Sequence, residues 1–261
     1  YFLFPAFNTE GIPDAWLNVY WVLSGLSLFS FVLLLFIKFD EGAEIPGSNL
    51  LDDVRQMFTL IARLLVIVFV ISAFLFVMLE QGIMTWLPTF NNDVLNVSEN
   101  VAIMMASIFA VSLGVGRLIA GFLSKYYSWF YIVGGCILLA IVMVVFVLPK
   151  TIEVGINENV IENLSSVPLL AFAFPLVGFF ISPIYPLLNS TVLSALPKKL
   201  HSPMTGLIIV FSALGGTLGS RAMGWLFKQV GPASGFYYTL IPIGLLLLTL
   251  ILLKRLTQKA N

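Results

Sequence analysis

Seven stretches of strongly apolar sequence decide what this chain can fold into. A helix needs about 20 apolar residues to cross the hydrocarbon layer of a bilayer. Residues 15–37, 64–87, 101–123, 129–148, 167–196, 204–227 and 236–253 each meet that length or approach it. The first, fourth, fifth and seventh contain no charge, while the second, third and sixth carry Glu80, Arg117 and Arg221. The chain is 59% hydrophobic and 10% charged, with a mean hydropathy of +1.02. A water-soluble globule must cover its outside with polar groups, and too few are present here. A lipid-facing exterior accounts for the surplus. The predicted class is an all-α polytopic membrane protein, with the lipid bilayer as its surroundings.

Composition also excludes functions. The 13 basic and 13 acidic residues balance, and no basic patch of the kind that binds nucleic acid is present. A lone cysteine, Cys136, rules out an internal disulfide and a cysteine metal cluster. A lone histidine, His201, rules out a multi-histidine metal site. No cofactor is expected.

Loop charges orient the spans. Lys38, Arg55 and Arg63 flank the first connection, Lys125 lies in the third, and Lys198 and Lys199 lie in the fifth. Lys254, Arg255 and Lys259 follow the last span. The opposite loops hold Lys150 and Lys228 and carry Asp93, Glu99, Glu153, Glu158 and Glu162. The positive-inside rule makes the first set cytoplasmic, with the C-terminus inside. A bacterial inner (plasma) membrane is the expected location. Three regions follow: an outer segment and span at 1–37, a cytoplasmic linker at 38–63, and a six-span half at 64–261. The linker combines Asp40, Glu41, Glu44, Asp52 and Asp53 with Pro46 and Gly47, and ends in an amphipathic stretch from Leu50 to Arg63. One span before a cytoplasmic linker and six after it fits transporters built as two six-span halves. The chain starts at Tyr1 with no leader pattern, and its odd span count predicts further helices upstream, an N-terminal half of the same protein.

Three segments carry a resemblance to a known family. One is Glu80-Gln81-Gly82-Ile83-Met84-Thr85-Trp86-Leu87-Pro88-Thr89-Phe90. Another is Gly114-Val115-Gly116-Arg117 followed by Gly121 and Lys125, with Ser124 near the place where the usual motif has an aspartate. The last is Gly215-Gly216-Thr217-Leu218-Gly219 with Gly224. Together they resemble the major facilitator superfamily, and within it the fucose/galactose/glucose proton symporter group. The resemblance implies that the seven spans are helices six to twelve of a helical bundle. It also makes Gly116, Arg117 and Lys125 parts of a structural motif at the cytoplasmic turn.

Glu80 is the most informative side chain. A charge at the bilayer centre costs at least ~2.5 kcal/mol, so such a group lines a polar cavity or pairs with a base. It is a candidate for proton coupling or substrate binding; a wet carboxylate near the outer interface is the structural alternative. Gln81 offers an amide to sugar hydroxyls, but adjacent helical positions point about 100° apart, so Glu80 and Gln81 do not face one cavity equally. Trp86 suits stacking on a sugar or, by its position, an interfacial aromatic belt. Tyr185 and Asn189 are four apart, share a helix face, and present a phenol and an amide to a ligand or to a neighbouring helix. Arg221 is expected either to pair with Glu80 or bind an anion, or to snorkel outward.

The expected function is a secondary active transporter moving a small hydrophilic solute, a sugar on the strength of the resemblance, by proton-coupled alternating access. The alternative is a proton-antiport exporter of amphipathic compounds or lipids from the same superfamily. An intramembrane enzyme would need paired acids or a histidine inside a span, and none is there. A seven-span receptor fits poorly with the acidic linker and the glycine-rich turns.

Overall fold

A computed structural model describes residues 17–37, 50–154 and 160–260. The segment before residue 17, linker residues 38–49 with Asp40, Glu41, Glu44, Pro46 and Gly47, and Glu158 lie outside the described residues. Among those described, seven helices are long and apolar enough to cross a membrane: Asn18–Phe36, Leu64–Leu95, Glu99–Leu123, Trp129–Val154, Leu169–Ser194, His201–Val230 and Pro232–Gln258. Their order matches the sequence reading, and the ends differ by several residues. No strand is present among the described residues; Val97 and Ile161 make one isolated bridge.

The chain divides into two units, Tyr1–Leu50 and Leu51–Asn261. The first holds the first span, whose described residues are exposed apart from half-buried Val19. A helix apolar on every side requires lipid or protein around it. In the second unit, a short helix, Leu50–Ile61, is separated from the second span by Arg63, which is extended at φ −83° and ψ 125°.

The second span is the centre of this unit and packs against the third, sixth and seventh. It was expected to stop at Leu87, but runs through Pro88 to Leu95. Two amides hold the extension. Asn91 Nδ2 donates to the Ala102 carbonyl at 3.1 Å, and Asn92 Nδ2 donates to the Val97 carbonyl at 2.7 Å. Asn96 ends the helix at φ 50°, a left-handed conformation that asparagine tolerates better than most residues. The Ser98 N–H then donates to Ile161 and the Ile161 N–H to Asn96, tying this turn to the loop before the fifth span.

Proline shapes the fourth and fifth spans. Pro149 has no N–H to give, and a π-helical turn at Met143–Val147 precedes it. In the fifth span Pro175, Pro183 and Pro186 divide the helix into 3₁₀ turns at Leu169–Phe172 and Phe174–Leu176 and α-helices at Val177–Ile181 and Ile184–Ser194. Pro183 and Pro186 sit at the start of the last piece, where a missing N–H costs least.

Glycines weld the helices into two pairs. In the second–sixth pair, Gly215 and Gly219 lie so close to Phe74 and Met78 that an added methyl would overlap their carbonyl oxygens. Gly224 makes the same room for the Trp86 ring. In the third–fifth pair, Gly116 lies against the Phe179 carbonyl and the Ser182 hydroxyl, and a methyl on Gly178 would come within 2.8 Å of the Phe109 carbonyl. Where bilayer tails are as apolar as leucine, close packing of this kind is what holds helices together.

Candidate functional site

An ion pair inside the spanning segments joins the two welded pairs. Glu80 sits midway along the second span and is 8% exposed. Its Oε1 accepts a hydrogen bond from Arg117 Nη2 at 2.8 Å, forming an ion pair between the second and third spans. The Arg117 side chain is 47% exposed, so the pair has a buried acidic end and an open basic end. On the same helix, Gly114 and Gly121 lie three residues before and four after Arg117. Both are exposed, with nothing within 4 Å of a methyl built on either. The guanidinium therefore stands in a clear strip of helix surface.

Of the alternatives for Arg221, pairing with Glu80 is not the one seen. Arg221 is exposed on the sixth span and has no ion pair among the described residues. The reason is helical phase. Gly215 and Gly219 turn one face of the sixth span to the second, and Arg221, two residues past Gly219, points about 200° away from it. Arg117, one residue past Gly116, points about 100° from the face pressed on the fifth span, which aims it at the second.

The other singled-out residues divide between packing and open valence. Trp86 Nε1 donates to the Ser220 carbonyl at 2.7 Å, and its ring packs edge-on to Phe227 at 5.4 Å. Its donor and its ring are thus used between the second and sixth spans. Gln81 lies beside Gly216 on that same seam. Tyr185 stacks on Phe76 with centroids 5.4 Å apart, and its hydroxyl lies 3.1 Å from Ser212 Oγ, linking the fifth span to the second and sixth. Asn189, one turn along, has a buried Oδ1 with no hydrogen-bond partner. A buried unpaired acceptor costs about 1–3 kcal/mol, and Asn91 Oδ1 on the second span is in the same state. Lys125 is exposed near the Phe122 ring, 5.6 Å from its centroid. Phe76, Ser212 and Ser220 complete the site's contacts and carry no sequence signal, because each acts only through the helix facing it.

Comparison with known proteins agrees with this architecture. The profile of the Major Facilitator Superfamily matches residues 2–161. The glucose/mannose transporter GlcP of Bacillus subtilis (strain 168) is 27% identical over 164 residues, covering 62% of this chain and 36% of GlcP. Among solved structures, the major facilitator transporter FucP in the outward conformation matches with a TM-score of 0.62 and 15% identity. That match covers 92% of this chain and 55% of FucP, so the chain spans about half the length of that relative.

Proposed function

Because this chain belongs to the major facilitator superfamily, we propose that it forms the C-terminal part, helices six to twelve, of a secondary transporter that moves a small hydrophilic solute by alternating access. A hexose is the favoured solute, and a proton gradient the favoured driving force. A second helical half completes the pathway. The lysine-rich ends and the C-terminus lie on the cytoplasmic side of a plasma membrane, following the distribution of loop charges.

The observation that carries this reading is the Glu80–Arg117 pair. A carboxylate and a guanidinium inside spanning helices mark ion and substrate pathways. Within this chain the pair also joins the two glycine-welded blocks. Protonation of Glu80 removes the negative partner of Arg117, whose side chain already reaches the open surface. The third–fifth block then shifts against the second–sixth block, with the tied turn at Asn96 and Ile161 as the fixed end. The unpaired Asn189 oxygen accepts a hydrogen bond from a solute hydroxyl, and the adjacent Tyr185 phenol orients it. Neither step needs a cofactor.

Uptake of labelled hexoses into proteoliposomes holding the full-length protein, with an inward proton gradient imposed, tests the proposal. Gradient-dependent accumulation of one hexose supports it. Transport of another solute class with no hexose moved removes the sugar reading.

A further inference from the structure

One cavity lies apart from this site and differs from its neighbours in chemistry. It has a volume of about 400 Å3 and is lined by Trp129, Ser190, Thr191, Ser194, Thr257 and Gln258, with Ala195 at its edge. Those residues come from the start of the fourth span, the end of the fifth and the end of the seventh. All three ends lie at the basic side of the protein, at the level where lipid headgroups replace hydrocarbon. The larger cavities deeper in the spans are lined almost wholly by apolar side chains.

The hydroxyls of this cavity are of two kinds. Thr191 and Thr257 bond back to carbonyls of their own helices, Leu187 and Leu253. Ser190 and Ser194, four apart on one exposed face, have no hydrogen-bond partner among the described residues. The Trp129 indole and the Gln258 amide add further donors. No carboxylate lines the wall. A positive charge stands close in the chain: Lys254 lies one turn before Gln258, with Nζ 3.9 Å from the Phe130 ring centroid and 5.5 Å from that of Tyr131, beside Trp129. Lys198, just past the end of the fifth span, is exposed on the same side.

We propose that this cavity binds the phosphodiester headgroup of an anionic, hydroxyl-bearing membrane lipid, with glycerol-type headgroups as the fitting class. Ser190, Ser194 and the Trp129 N–H donate to its oxygens, Gln258 meets its hydroxyls, and Lys254 supplies the charge. The volume suits a small polar headgroup, and basic pockets between spanning helices on the cytoplasmic side are where such headgroups bind. A soluble glycerol phosphate shares the same recognition chemistry; the position of the cavity at the ends of three spanning helices favours the lipid.

Thermal unfolding of the full-length protein in mild detergent, titrated with dihexanoyl phosphatidylglycerol, dihexanoyl phosphatidylcholine or sn-glycerol 3-phosphate, tests this. The expected result is a saturable rise in Tm with phosphatidylglycerol only. In Ser190→Leu/Ser194→Leu the half-saturating concentration rises on the order of tenfold or more, as for loss of two or more hydrogen bonds. Lys254→Gln weakens the response similarly and carries the test if the filled variant fails to fold. Equal responses to the two lipids, or a phosphatidylglycerol response unchanged in both variants, overturn the site. A rise with glycerol phosphate equal to that with the lipid overturns the lipid as its occupant.

Discussion

Arg117→Gln should destabilise this protein more than Glu80→Gln, although each removes the same ion pair. Breaking a buried pair costs about 3–5 kcal/mol when the remaining charge has nowhere to go. The two ends differ in this respect: the Glu80 side chain is 11% exposed, whereas the Arg117 side chain is 47% exposed. Arg117→Gln strands a buried carboxylate, and the expected loss is about 3 kcal/mol, the low end of that range. Glu80→Gln leaves a guanidinium on the open face proposed above to line the aqueous pathway, where water takes the place of the lost partner, with a loss nearer ~1 kcal/mol. Replacing both removes the stranded charge, so the double variant should be more stable than Arg117→Gln alone. A double-mutant cycle on Tm for the four purified proteins in one detergent at one pH reads all three statements. Equal losses, a larger loss for Glu80→Gln, or additivity within about 0.5 kcal/mol would refute the account of a buried acid held by a half-exposed base.

Other substitutions test the packing around the pair. Gly219→Val forces a side chain against the Met78 carbonyl and should cost about 1–3 kcal/mol, lowering Tm and expression. Gly121→Val, with nothing within 4 Å, should be nearly silent in the same assay, and a comparable loss there would remove the close-approach explanation. Trp86→Phe deletes the donor to the Ser220 carbonyl and should lose about 1 kcal/mol, with solute affinity unchanged. A change in solute affinity without loss of Tm would return Trp86 to the binding surface.

The spans were legible because each depends on a local run of apolar residues, and the spanning requirement is the same for every helix. Their ends were less so. The second span passes Leu87 because Asn91 and Asn92 find carbonyls on the following turn and helix, which no local pattern announces. In the fifth span the division into 3₁₀ and α pieces follows from where the N–H groups missing at Pro175, Pro183 and Pro186 fall. Glu80 stood out as a charge in a span, but its partner depended on which face each helix turns inward. The glycine pairs held that information. Gly215 and Gly219 define the contact face of the sixth span, and Arg221 lies on its far side. Reading the phase of the glycines before pairing the charges would have assigned Arg117. The unpaired Asn189 oxygen was beyond sequence reasoning, since it is defined by the atoms missing around it.

The central claim is that Glu80 couples protons to solute movement through Arg117. It is tested most directly by comparing gradient-driven accumulation with solute counterflow in proteoliposomes of Glu80→Gln. The account predicts that counterflow persists, because the variant still exchanges solute across the membrane, while accumulation driven by an imposed pH gradient is lost. Accumulation that stays intact and keeps its dependence on pH would contradict it.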